Sequence, residues 1–76
     1  MDIKERLQDV FRDVFDDEEI VISEETTAAD IDGWDSLTHI QLVVAVQNEF
    51  GVKFSMVETS SMKNVGDFIR LIESRV

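Results

Sequence analysis

Ser36 stands in the segment Gly33-Trp34-Asp35-Ser36-Leu37, where a polar turn runs into a strongly helical stretch. A phosphate ester would suit a serine at such a junction. The first N–H groups of a helix lack intrahelical partners, and the helix dipole is positive there. A serine deep inside a helix would not offer the same exposure. The residues also have a plainer use, because Asp and Ser are favoured N-caps. A bare Asp-Ser-Leu tripeptide reads first as Ser36 or Asp35 capping the helix that follows.

Other chemistry is thinly represented. The chain has no cysteine, so no disulfide staples it and no thiolate attacks a substrate or binds a metal. His39 is the only histidine. With no acid or nucleophile at catalytic spacing it is expected to be structural, a pH-sensitive partner contact being the alternative. Trp34, beside a turn, is expected to anchor that turn to the core. Asp30-Ile31-Asp32-Gly33 begins like a calcium loop. Its glycine falls at the fourth position, however, and Gln41 stands where the closing glutamate belongs. No metal-ligand set, nucleophile–base pair or glycine-rich phosphate loop is present, which makes an enzyme the weakest reading.

The net charge of -10 is concentrated in the middle of the chain. Ten acids fall between Asp16 and Phe50, with no Lys or Arg among them; elsewhere acids and bases balance. Such a field repels nucleic acid and anionic lipid and steers the protein toward basic partners. The plain alternative is a solvated acidic loop that aids solubility.

Four helical segments must position these residues. Ile3, Leu7, Val10, Phe11, Val14 and Phe15 recur at helical spacing, which predicts a first helix from Ile3 to Phe15 with Asp2 as its cap. Residues 16 to 34 show no sustained period. They form a long loop, pinned by Ile20, Val21 and Ile22. A second helix runs from Leu37 to Phe50 and stops at Gly51. It has a core stripe of Leu42, Val43, Val46 and Phe50. A second apolar stripe, Leu37, Ile40 and Val44, exceeds what one core face needs. Ser55-Met56-Val57-Glu58 fits a capping box for a short helix ending about Ser61. Asn64 caps a last helix whose inner stripe is Val65, Phe68, Ile69, Ile72 and Val76. The expected fold is all-α: a small four-helix bundle of three main helices and one short one, with a long loop between helices one and two.

A chain of 76 residues suits a single domain, residues 1–76, with little stability to spare. The apolar fraction of 43% argues against wholesale disorder, and the absence of proline, with only three glycines, favours helices over an all-β fold. The N-terminus is charged throughout, unlike a signal peptide, and the longest apolar run, Leu42 to Val46, is too short to cross a bilayer. A soluble, cytoplasmic protein is expected.

Over nearly its full length the chain resembles the acyl carrier protein family. Gly33-Trp34-Asp35-Ser36-Leu37 is similar to the family's attachment motif, and Glu49-Phe50-Gly51-Val52 to the end of its second helix. The acidic loop before the serine, the short third helix and the amphipathic fourth agree as well. The resemblance implies that a phosphopantetheinyl transferase moves phosphopantetheine from coenzyme A to Ser36. The arm's thiol then holds cargo as a thioester, and the protein catalyses nothing. It also implies that the helix after the serine meets partners, so that Leu37, Ile40 and Val44 contact them or the cargo. The alternative, for Ile40 above all, is packing under the long loop. Trp34 would shield the base of the arm, or anchor its turn.

This chain departs from the fatty-acid type of carrier. That type places several acids on the second helix, where this one has Thr38, His39, Gln41, Gln47 and Asn48, with Glu49 its only acid after Asp35. Electrostatic docking of cargo-processing enzymes with basic patches should then be weaker through this helix, or borne by Asp30, Asp32 and Asp35. Gly33-Trp34 is more similar to carriers of polyketide, aminoacyl or other specialised pathways. The expectation is a free-standing, monomeric carrier in such a pathway, with no nucleic-acid partner and no membrane insertion. Housekeeping fatty-acid synthesis and an unmodified acidic helical interaction module are the alternatives.

Overall fold

The computed structural model describes residues 2–76. Helix α1 spans Ile3–Val14, and the Asp2 carboxylate accepts the Glu5 N–H at 2.8 Å, as its capping role requires. Leu7, Val10 and Phe11 form its buried face. Phe15 lies just past the helix, as its C-cap, rather than inside it. Asp16 then takes φ 50, a left-handed conformation that a short polar side chain tolerates, and turns the chain into the loop.

The polar face of α1 holds the loop down. Arg12 Nε donates to the Ile20 carbonyl at 2.8 Å, and the Gln8 side-chain oxygen accepts the Ile22 N–H at 3.0 Å. Ile20 and Ile22 are buried while Val21 points to solvent, the alternation expected of extended chain. So two of the three apolar pins enter the core. A single 3-10 turn, Ala28–Asp30, interrupts what the sequence presents as unstructured loop.

Helix α2 spans Ser36–Phe50. Leu42 and Val46 are fully buried, with Val43 and Phe50 partly buried beside them. Gly51, at φ 66, ends the helix in the left-handed conformation that only glycine adopts freely. Helix α3, Met56–Ser60, begins at the expected capping box of Ser55 and Glu58. Helix α4, Val65–Glu73, begins at Asn64, whose side chain accepts the Asp67 N–H. It ends before Val76, which is exposed and takes no part in the inner stripe.

α1 packs against both α2 and α4. Phe11 and Phe68 are the largest fully buried side chains, with Leu7, Ile22, Leu42, Ile72, Val46 and Val65 around them. The loop closes on α4 by two backbone hydrogen bonds: the Val65 and Gly66 N–H groups donate to the carbonyls of Thr26 and Glu24, each at 2.8 Å. These are the first donors of α4, which have no partner within the helix. The approach is close enough to exclude a side chain at Gly66, where an added Cβ would stand 2.9 Å from the Glu24 carbonyl oxygen. The fold is the expected all-helical bundle with three longer helices and one short one.

Candidate functional site

Asp35, not Ser36, caps α2. Its carboxylate accepts the Thr38 N–H at 2.9 Å, and its own N–H donates to the Thr38 hydroxyl at 2.7 Å. The Thr38 hydroxyl in turn donates to the Gly33 carbonyl at 2.7 Å. One hydroxyl thus ties the turn to the first turn of the helix, a role its place among non-acidic residues gave no hint of. The Thr38 N–H, followed by its hydroxyl, holds the Asp35 carboxyl below the usual aspartate range. With the cap supplied by Asp35, Ser36 is left as the first residue of the helix. It is exposed, and among the described residues its hydroxyl makes no hydrogen bond.

Ser36 borders an open cleft of about 350 Å³ between the start of α2 and the end of α3. Trp34 and His39 line its near side, and Thr59, Ser60, Met62 and Lys63 the far side. Trp34 anchors its turn as expected, packing edge-on against Phe11 at 5.2 Å between ring centroids and beside Phe15 at 6.3 Å. His39 bridges two segments. Its Nδ1 accepts the Trp34 indole N–H at 3.1 Å, and its Nε2 lies 3.1 Å from the Thr59 carbonyl.

The two apolar stripes of α2 separate as their spacing requires. Leu42 and Val46 face inward, while Leu37, Ile40 and Val44 are 66%, 61% and 49% exposed. Ile40 therefore does not pack under the loop. Glu49, the one acid within the helix, is engaged by Arg6 of α1. Arg6 Nε donates to its carboxylate at 3.1 Å, and the guanidinium lies 4.4 Å from the Phe50 ring centroid. The exposed stripe of Leu37, Ile40 and Val44 is thus apolar and carries no charge.

The three loop acids do not form one group. Asp35 borders the Ser36 cleft, whereas Asp30 and Asp32 border a separate cleft with Asp17 and Glu19. Asp30 accepts the Thr27 N–H at 2.9 Å as part of the 3-10 turn. Among the described residues Asp32 makes no hydrogen bond or ion pair through its side chain, and no three His, Cys, Asp or Glu side chains converge as a metal site.

The family model described as the phosphopantetheine attachment site matches residues 5–72. An exposed hydroxyl at a helix start, on a small helical bundle, agrees with that class. The chain is 35% identical over 72 residues to an acyl carrier protein of Sinorhizobium fredii, covering 95% of this chain and 92% of that one. It matches acyl carrier protein AcpP of Rhizobium meliloti to the same extent. The solution structure of a holo acyl carrier protein from Geobacter metallireducens superposes with a TM-score of 0.91 at 43% identity. That match covers 99% of this chain and 86% of the other. The chain belongs to the acyl carrier protein family.

It is accordingly a carrier of acyl groups on covalently attached phosphopantetheine, and not an enzyme. Members of the family interact with phosphopantetheinyl transferases and biosynthetic enzymes. The surface described above fits such a group. It offers an unengaged serine hydroxyl, the positive end of a helix dipole for the phosphate, and an adjoining cleft with both apolar and polar lining for the arm. No described helix is long and apolar enough to cross a membrane.

Proposed function

We propose that Ser36 is the attachment serine of a single carrier domain, residues 1–76, that serves a polyketide, aminoacyl or other specialised pathway. The observation that carries the site is the free hydroxyl. Ser60 borders the same cleft, but its hydroxyl donates to the Val57 carbonyl at 3.2 Å. In the loading step the Ser36 oxygen forms a bond to the phosphorus of the pantetheine phosphate. The pyrophosphate bond of coenzyme A breaks, the adenosine bisphosphate half leaves, and the hydroxyl proton passes to a base of the transferase. The bound group then supplies a thiol that carries cargo as a thioester, at a local concentration set by the tether.

The pathway reading is supported by the surface of α2. With Glu49 engaged by Arg6, partners meet Leu37, Ile40 and Val44 on a helix without a free acid. Negative charge is offered instead at Asp30, Asp32 and Asp35, beside or before the helix. Docking then combines apolar contact with steering by the loop toward basic patches.

The test is intact mass after incubation with coenzyme A and a broad-specificity phosphopantetheinyl transferase. One arm is expected on the wild type and none on Ser36→Ala. No gain with several competent transferases contradicts the proposal, as does an unchanged gain in the variant.

A further inference from the structure

The turn that carries Ser36 is held from two directions. Within it, the Thr38 hydroxyl donates to the Gly33 carbonyl at 2.7 Å, and the Trp34 N–H to the Ile31 carbonyl at 3.3 Å. Across it, the Trp34 ring stands edge-on to the buried Phe11, and its indole N–H donates to His39 Nδ1 at 3.1 Å. An indole N–H only donates and a carbonyl only accepts. His39, between the indole and the Thr59 carbonyl, therefore has Nδ1 bare and its proton on Nε2, 3.1 Å from that carbonyl. Only the neutral ring makes both bonds. A second proton must enter at Nδ1, where it meets the indole N–H donor to donor, while the bond to Thr59 is kept. Protonation thus releases Trp34 and leaves α3 held.

Three charged groups surround the ring. Asp35, one turn earlier on α2, accepts the His39 N–H on its carbonyl at 2.8 Å, and its carboxylate is occupied by Thr38. Glu58, beside Thr59 on α3, is paired with Arg75. Lys63 lines the same cleft, and among the described residues its ammonium makes no ion pair. On the α1 side the Trp34 ring meets Phe11 and Phe15, both apolar. None of these groups offers a free carboxylate to an imidazolium in place of the lost bond.

We propose that His39 is a positioning residue for the loading of Ser36, on the reading that Ser36 takes the arm: the neutral imidazole fixes Trp34, two residues before the serine, and so holds the Ser36 hydroxyl where the transferase reaches it. Imidazoles ordinarily change charge between about pH 5 and 8, so the hold is made above neutrality and lost in mild acid. A released indole N–H, half-buried in this turn, gains by moving toward water, and the backbone that carries it moves as well.

The experiment measures the rate of loading from coenzyme A by one phosphopantetheinyl transferase, followed by intact mass. It compares wild type, His39→Gln and His39→Ala from about pH 8 to about pH 5. The glutamine amide can accept from Trp34 and donate to Thr59, and it does not titrate. The ratio of wild type to His39→Gln at each pH therefore cancels the transferase's own response. That ratio is expected to be near unity at the alkaline end and to fall roughly five-fold at the acid end, the effect of one lost hydrogen bond. The fall should lie in kcat rather than KM, because Leu37, Ile40 and Val44 are untouched. His39→Ala should load slowly over the whole range. In the unloaded proteins the Trp34 indole proton resonance should move with pH in wild type and stay in place in His39→Gln. A histidine that only stabilised the fold would leave the ratio flat. A flat ratio, an indole resonance that moves equally in both proteins, or His39→Ala loading as fast as wild type at the alkaline end overturns the proposal, while the mass gain still supports attachment. No mass gain on any of the three overturns attachment at Ser36 and the proposal together.

Discussion

At the residue scale, the site depends on a division of labour between neighbours. Asp35 caps the helix, and Ser36 is thereby left free. The cap has a pH signature. Asp35 is held below the usual aspartate range by the Thr38 N–H and hydroxyl. A carboxylate depressed in the folded state contributes stability above its unfolded pKa and loses it as pH falls through the folded one. Glu58 and Asp67, depressed by the backbone N–H groups of Ser55 and Lys63 and then by Arg75 and Arg70, add to the same acid limb. Asp35→Asn keeps a good capping side chain but does not titrate there. Its urea midpoint should fall less steeply than the wild type's as the solution is taken from neutral to acid. Gly66 makes a different prediction. A methyl at that position collides with the Glu24 carbonyl, so Gly66→Ala should cost about 1–3 kcal/mol by urea denaturation, despite the better helix propensity of alanine.

At the element scale, α2 does two jobs with two faces. The inward face builds the core, and the outward face of Leu37, Ile40 and Val44 contributes little to stability because it remains in water. Polar substitution of these three should change stability by no more than about 0.5 kcal/mol each. The same variants should slow cargo transfer from a partner enzyme, measured as turnover with the loaded carrier. A loss of stability without a loss of transfer would make the stripe structural. Both faces were legible in the sequence, because helical periodicity survives any detail of packing, and so were the capping residues Asp2, Ser55 and Asn64. The choice between Asp35 and Ser36 as cap was not, since both residue types suit the role and only the Thr38 geometry decides. Val76 fits the spacing of α4 but lies past its end, where spacing alone carries no stop signal.

At the scale of the whole molecule, the long loop is a structural member. Ile20, Ile22 and Thr26 are buried, and the Thr26 and Glu24 carbonyls satisfy the first donors of α4. None of these pairings is local, so no window of sequence announces them, and Gly66 looked unremarkable without its neighbour across the fold. The outer surface of the loop holds the acids. All four arginines are committed internally: Arg12 to the Ile20 carbonyl, Arg6 to Glu49, Arg70 to Asp67 and Arg75 to Glu58. The acidic field is therefore little offset near α2, and loading by a basic transferase should slow as salt is raised. Asp32→Lys is the clean variant, because Asp30 and Asp35 also accept backbone hydrogen bonds. It should lower the loading rate at low salt and flatten its salt dependence; an unchanged rate would remove Asp32 from the docking surface. The carrier's function turns on which hydroxyl is loaded. Fragmentation mass spectrometry of the arm-bearing protein tests it most directly. The arm is expected on fragments containing Ser36 and absent from those that contain Ser60 without Ser36. An arm on Ser60, or on any residue other than Ser36, would contradict it.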